Sequence, residues 1–201
     1  MKRISATPVI LVGGKGERLG KDKVFLSLEN KLVIQRTYSI LETVFGRAPL
    51  FIGREVLPLP YKTIPDVVKG IGPKGGLLTA FLNTDTEFVF VTACDMPFIN
   101  RDLLTYMHSS LEEKSEIFIP LMKNGFIEPL FAFYKRSLLQ ELKKEIKYGD
   151  YKMRSLLKGK RVRYLTEKEI EQFDRELVTF FNINTKTDLE KALETAKDEK
   201  D

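Results

Sequence analysis

The chain of 201 residues has the length of one ordinary globular domain, which we predict to span residues 1–201. Its 43% hydrophobic and 30% charged residues exclude a disordered or collagen-like chain, and its single cysteine, Cys94, excludes an internal disulfide. Its net charge of +5 leaves an anionic ligand as the first expectation. The charged start leads directly into an apolar run too short to span a bilayer, so we expect a cytoplasmic protein with no secretory signal.

Short apolar runs alternate with amphipathic stretches along most of the chain. We predict strands at 8–12, 50–53, 62–65, 88–92, 116–120, 130–134, 162–165 and 178–183. We predict helices at 32–45, 75–83, 102–111 (with Asn100 as N-cap), 136–146 and 153–158, and further helices beginning at 167 and 185. This alternation predicts an α/β three-layer sandwich with a mostly parallel, Rossmann-like central sheet.

The positive charge is concentrated in two regions of the sequence. Residues 1–36 contain eight Lys or Arg against three acids, and residues 135–163 contain eleven against three. Such regions favour two bound anionic groups or one nucleic-acid track, although lysines that only solvate helix faces would give the same pattern.

A glycine-rich segment, LVGGKGERLGKDK at 11–23, directly follows the first predicted strand. Its glycines allow a sharp turn whose backbone N–H groups can approach an anion. The spacing matches neither the Walker A loop nor the dinucleotide fingerprint, which it misses by one residue. Three cations beside the glycines suit a triphosphate better than a pyrophosphate that is bonded on both sides. The alternative is a basic surface loop whose glycines only provide flexibility.

Two acids follow predicted strands, where open α/β sheets bind ligands. Asp95 comes just after 88–92 and is a suitable oxygen ligand for Mg²⁺, although it could instead cap the following turn. Asp66 comes just after 62–65, and the turn Gly72–Gly76 then leads into a helix whose N-terminus favours phosphate. Near the end of the chain, Asn182 and Asn184 alternate along a predicted strand and should face one side, although Asn184 could equally cap the next helix.

Four segments, in order, resemble the molybdenum cofactor guanylyltransferase (MobA) family of nucleotidyltransferases. They are LVGGKGERLGKDK at 11–23, DVVKGIGPKGGL at 66–77, VTACDMP at 91–97, and NINT at 182–185 followed by Asp188 and Leu189. The resemblance covers nearly the whole chain and implies the nucleotide-diphospho-sugar transferase fold. One departure is Lys74, where the family usually has a leucine beside the base, so we expect a long cation at that contact.

The resemblance implies transfer of GMP from GTP to the terminal phosphate of molybdopterin, with release of pyrophosphate. It implies Lys23, Arg18 and Asp95 as catalytic residues, and Asp95 as ligand of Mg²⁺, or of Mn²⁺ in its place. The implied nucleotide-binding residues are Leu11, Val12, Gly13, Gly14, Lys15, Lys23, Asp66, Gly72, Pro73 and Asp95. The implied acceptor-binding residues are Asn182 and Asn184, with Lys152 and Arg154 placed to hold the phosphate of the pterin.

Two other functions remain open at this point. A related nucleotidyltransferase could use CTP or GTP on another phosphorylated acceptor, but the Asp22-Lys23 ending of the loop and the asparagine pair favour the pterin. A non-catalytic nucleic-acid binder would explain the basic regions, but the aromatic residues fall in core-like runs and do not alternate with bases. We therefore expect GTP, molybdopterin and cofactor-delivery proteins as partners, and neither nucleic acid nor membrane.

Overall fold

The computed structural model describes residues 4–13, 22–53, 57 and 60–198. The strands are β1 (Ala6–Leu11), β2 (Ser27–Leu28), β3 (Lys31–Leu32), β4 (Leu50–Gly53), β5 (Thr63–Pro65), β6 (Phe88–Ala93), β7 (Ile117–Leu121), β8 (Phe131–Lys135) and β9 (Val162–Thr166). The α-helices are α1 (Val33–Phe45), α2 (Pro73–Leu82), α3 (Arg101–Ser109), α4 (Leu139–Lys147), α5 (Glu167–Ile170) and α6 (Lys186–Asp198). Within these described ranges, no helix combines the length and the apolar character that crossing a membrane requires.

The central sheet has the strand order β5-β4-β1-β6-β8-β7-β9. All neighbouring pairs are parallel except those made by β8, which runs antiparallel to both β6 and β7. The strands other than β8 therefore point in one direction, and their carboxyl ends gather at one edge of the sheet. The short strands β2 and β3 form a separate antiparallel hairpin.

Helices cover both faces of the sheet. Successive strand residues point to opposite sides, and apolar side chains on both sides are buried by helices. On one face Ile10 and Phe90 pack with residues of α1 and α3. On the other face Val9 and Val91 pack with residues of α2 and α4. Both sides of the central strands are apolar, which explains their continuous hydrophobic runs. The three-layer α/β sandwich predicted from the sequence is confirmed.

The predicted strands agree with the structure except at residues 178–183, and the helix predicted at 153–158 is a 3-10 helix, Met153–Leu157. The Asn100 side chain caps α3 by accepting hydrogen bonds from the backbone N–H groups of Asp102 and Leu103, as predicted. The predicted strand at 178–183 is wrong, since Val178–Phe180 forms a 3-10 turn. The carboxylate of Asp174 accepts hydrogen bonds from the backbone N–H groups of Val178 (3.1 Å) and Thr179 (2.8 Å), which fixes this turn.

Candidate active site

The carboxyl edge of the sheet brings together segments that are distant in the sequence. Gly13 follows β1, Asp66 follows β5, and Asp95 follows β6. Helix α2 begins at the same edge, because it follows β5 and returns toward the start of β6. Strand β8 runs in the opposite direction, so the loop that precedes it also reaches this edge. In open α/β sheets this edge is where ligands bind.

Three side chains from separate segments meet at this edge. The Lys23 ammonium forms a short ion pair with Oδ2 of Asp95 and donates a 2.6 Å hydrogen bond to Oδ1 of Asn184. The Lys23 and Asp95 side chains are only 15% and 9% exposed. Asp22 accepts a hydrogen bond from the Val24 backbone and begins the 3-10 turn that carries Lys23. We call Lys23, Asp95 and Asn184 the central cluster.

Backbone hydrogen bonds fix the position of Asp95. Its neighbour Cys94 donates to the carbonyl of Leu11 (3.2 Å), and its own carbonyl accepts from the N–H of Ile183 (3.0 Å). The Cys94 side chain is buried in the core, as expected for a small apolar residue. Asp95 is thus held between β1 and the segment that carries Asn184, which explains how these three parts of the chain form one site.

A second carboxylate, Glu128, lies near Asp95 and is not among the site residues predicted from the sequence. Strand β6 pairs with β8 so that Thr92 faces Phe131, and this register directs Glu128 toward Asp95. Glu128 is only 7% exposed, and its Oε1 accepts a 3.0 Å hydrogen bond from the backbone of Leu130. Burial raises the pKa of Glu128, and the charge of Asp95 raises it further. Glu128 precedes β8, and its closeness to Asp95 follows from the antiparallel pairing of β8 with β6, which the neighbouring residues do not specify.

The oxygen atoms of this site are chemically suited to a magnesium ion. The carboxylate of Asp95 and the side-chain carbonyl of Asn184 are hard oxygen donors, and they already share the positive charge of Lys23. Within the described ranges of the chain, no cluster of three or more His, Cys, Asp or Glu side chains forms a complete metal cage. Mg²⁺ commonly binds only one or two protein carboxylates, and substrate phosphates and water supply its other ligands.

Asp66 and the start of α2 form the neighbouring part of the edge. Oδ1 of Asp66 is buried and accepts no hydrogen bond from the residues that the structure describes. Burial raises the pKa of this carboxyl, and nearby Lys69 opposes the shift. Gly72 caps α2 with a φ of 68°, and Pro73 follows it as the first helical residue. A buried acceptor and a helix N-terminus therefore lie on one side of the central cluster.

Lys74 does not lie at the position expected from the sequence. Its side chain is fully buried and pairs with Glu145 (2.6 Å), and its ammonium also donates to the carbonyl of Asp150 (2.8 Å). The expectation of a long cation at the contact with the base is therefore wrong, since these acids on and after α4 hold the ammonium.

The two asparagines of the pair make different contacts. Asn184 reaches Lys23, but Asn182 donates to the carbonyl of Phe180 (2.9 Å). The interpretation of Asn184 as a helix cap is also wrong, because the side chain of Thr185 accepts from the N–H of Asp188 (3.1 Å) at the start of α6. The strand on which the expectation of a shared face rested is absent, but Ile183 between the two asparagines is fully buried while both asparagines keep exposed surface, so the shared face stays a prediction.

The remaining predicted residues divide into three groups. Leu11 and Val12 are buried, so only their backbone can approach a ligand, and the Cα of Gly13 faces open space. Lys152 and Arg154 are exposed on the segment after α4. Gly14, Lys15 and Arg18 lie outside the described residues.

Comparison with known proteins connects this geometry to a family. The family model described as "MobA-like NTP transferase domain" matches residues 8–167. A probable molybdenum cofactor guanylyltransferase of Peptoclostridium acidaminophilum is 32% identical over 99% of this chain and 93% of its own length. The molybdenum cofactor guanylyltransferase of Syntrophotalea carbinolica is 30% identical over 91% of this chain and 88% of its own.

A solved structure agrees with these sequence relatives. The crystal structure of molybdopterin-guanine dinucleotide biosynthesis protein A from Archaeoglobus fulgidus superposes with a TM-score of 0.82 at 31% identity, covering 96% of this chain and 99% of that one. The family model includes Lys23 and Asp95, and the relative from Peptoclostridium acidaminophilum matches 99% of the chain. The chain belongs to the MobA-like NTP transferase family.

Proposed function

We propose that this protein transfers GMP from GTP to the terminal phosphate of molybdopterin, releasing pyrophosphate and forming the guanine dinucleotide cofactor. The central cluster is the observation that carries this proposal. It joins a lysine beside a glycine-rich loop, a carboxylate at a strand end and an amide from the last third of the chain. The names of the relatives and of the structural neighbour support the identity of both substrates.

The nucleotide is proposed to bind between β1 and α2. The backbone at 11–13 and the N-terminus of α2 present N–H groups that suit phosphates. The buried Oδ1 of Asp66 is an acceptor that a hydroxyl or N–H donor of GTP can satisfy. Lys15 and Arg18 are proposed to neutralise the triphosphate, although both lie outside the described residues.

The chemistry requires charge control and no general base. The acceptor phosphate is ionised near neutral pH because its second pKa is about 6. One of its oxygens forms a bond to the α-phosphorus of GTP while the bond from that phosphorus to the oxygen bridging to the β-phosphate breaks, and the electron pair leaves with pyrophosphate. Lys23 places its ammonium at the centre of the site and would stabilise the negative charge that grows in the transition state.

Asp95 is the proposed magnesium ligand, and Mn²⁺ could replace Mg²⁺. When bound, the metal would supply positive charge to the phosphate oxygens. The Lys23 ammonium pairs with the Asp95 carboxylate, which is the oxygen ligand that the metal would share. We therefore expect Lys23 to move from Asp95 toward the phosphates when the nucleotide and metal bind.

The acceptor is proposed to bind on the side of Asn184, Lys152 and Arg154. Asn184 offers an amide that can both donate and accept hydrogen bonds, and the two cations are exposed for a phosphate. Asn182 is left out of this proposal because its amide is used locally. We further propose that the enzyme acts in the cytoplasm and receives molybdopterin from, or passes its product to, cofactor-delivery proteins.

Pyrophosphate release tests the proposal directly. The protein is assayed with molybdopterin and Mg²⁺, and GTP, CTP, ATP and UTP are supplied in turn, each also with Asp95→Ala. We expect release with GTP only and its loss in the variant. Preference for CTP would overturn the assignment of GTP as the nucleotide and would leave the family assignment unchanged. If no nucleotide gave release although calorimetry showed GTP binding, the assignment of molybdopterin as the acceptor would be overturned.

A further inference from the structure

Lys74 is a fully buried lysine whose ammonium connects two helices of different halves of the protein. It lies in the first turn of α2, on the nucleotide side. Its partners are Glu145 near the end of α4 (2.6 Å) and Asp150 just beyond that helix, through both the carbonyl (2.8 Å) and the carboxylate (3.7 Å). A buried ammonium requires such partners, because desolvation strongly disfavours an unpaired charge.

The direction of the strands places this contact at the carboxyl edge. Helix α2 follows β5 and begins at that edge, whereas α4 follows the reversed strand β8 and ends there. The start of α2 and the end of α4 therefore meet at the edge that also carries the central cluster, and Lys74 joins them.

Asp150 connects the buried Lys74 to the residues that follow it in the chain. Its carboxylate accepts hydrogen bonds from the backbone N–H of Lys152 (3.1 Å) and from the hydroxyl of Ser155 (2.9 Å). We call residues 149–155 the acceptor turn. The side chains of Lys152 and Arg154 project from it into solvent. The turn is thus attached to the protein interior through the Lys74 contact beneath it.

We infer that Lys74 is a positioning residue for the acceptor, which holds the acceptor turn so that Lys152 and Arg154 meet the phosphate of the pterin substrate. This inference rests on the proposed function. It reverses the expectation from the sequence, in which Lys74 would influence the choice of nucleotide base. The start of the nucleotide helix and the binding surface for the second substrate become one connected unit.

Steady-state kinetics with both substrates test the inference. Lys74→Met is compared with Lys143→Met, which removes an exposed lysine on α4. We expect Lys74→Met to raise the KM for molybdopterin by about tenfold and to change kcat and the KM for GTP by less than about threefold. Lys143→Met should match the wild type. Lys152→Ala should reproduce the rise in acceptor KM, and the double variant Lys74→Met/Lys152→Ala should show less than the product of the two single effects.

A second variant covers the case in which Lys74→Met does not fold. Lys74→Met/Glu145→Gln removes both charges of the ion pair together and should fold, and hydrogen exchange should accelerate at residues 149–155 but not in β1 or β6. Changed preference between GTP and CTP with an unaltered acceptor KM would overturn the inference, as would unchanged exchange in the acceptor turn. A wild-type protein that transfers no GMP to molybdopterin would instead overturn the proposed function, and hydrogen exchange would still decide whether Lys74 holds the turn.

Discussion

The two sides of the carboxyl edge are built by different means. On the nucleotide side, glycines bring backbone segments close together, and Gly75 lies against the carbonyl of Val68. On the acceptor side, aspartates hold the turns: Asp150, Asp174 and Asp188 each accept two hydrogen bonds from groups nearby in sequence. The nucleotide side should therefore be sensitive to an added methyl group, whereas the acceptor side should be sensitive to a removed carboxylate.

The largest effect is expected at Lys23, where the two sides meet. Lys23→Ala removes the cation shared by Asp95 and Asn184, and we expect kcat to fall by about 10² to 10³. Pyrophosphate release measures this loss, and circular dichroism checks that the fold is retained. Turnover near the wild-type value in a variant that still binds GTP would contradict the assignment.

An added methyl group should distinguish two adjacent glycines of the nucleotide side. A Cβ at Gly75 would lie 2.7 Å from the Val68 carbonyl oxygen, whereas one at Gly76 would lie 2.7 Å from a terminal carbon of Leu11. Because a backbone atom yields less easily than a side-chain end, Gly75→Ala should cost about 1 to 3 kcal/mol of unfolding free energy and Gly76→Ala less. Urea denaturation of both variants measures the difference, and equal losses would show that both contacts relax alike.

The two asparagines provide a smaller and internal comparison. Asn184→Ala removes the amide that contacts Lys23, so we expect kcat/KM to fall about tenfold, which is roughly 1.4 kcal/mol. Asn182→Ala removes only a local hydrogen bond to Phe180 and should leave kcat/KM within about twofold. Transfer assays measure kcat/KM for both variants. An equal loss in both would show that Asn182 and Asn184 act together in binding the acceptor.

The smallest effect is expected from pH at Asp150. Its pKa is lowered, chiefly by the hydrogen bond from Ser155 and then by that from the Lys152 backbone, so its charged form stabilises the fold above the unfolded pKa of about 3.9. Asp150→Asn should have a lower melting temperature than the wild type at pH 7, and this difference in melting temperature should narrow as the pH falls below about 4. Ser155→Ala removes the main cause and should weaken this dependence. A gap that stays constant with pH would exclude the carboxylate charge as its origin.

Most of the fold could be predicted because local patterns agree with the tertiary structure. Continuous apolar runs predicted strands buried on both faces, and Asn100 predicted the start of α3. Residues 178–183 were assigned wrongly because the burial of apolar residues beneath α6 resembles a strand pattern, while the side chain of Asp174, close in sequence, imposes a turn. Hydrogen bonds from one side chain to nearby backbone leave little trace in hydrophobic periodicity.

The site shows the same limit. Asp95 and Lys23 could be identified because strand ends and glycine-rich loops have recognisable sequence context, and the structure joins them. Lys74 and Glu128 could not be interpreted, since their positions depend on which distant element packs against them. The pairing of α2 with α4 and the reversal of β8 decide both, and neither is encoded in the residues beside them.

The hydrogen bond from Ile183 to the carbonyl of Asp95, together with the contact between Asn184 and Lys23, has a consequence for biosynthesis. On the ribosome, Lys23 and Asp95 emerge early, and every strand of the central sheet is synthesised before Asn184. A nascent chain that has already formed its sheet would still lack one member of the central cluster. Competence for transfer would therefore arise only after every strand of the central sheet has been synthesised.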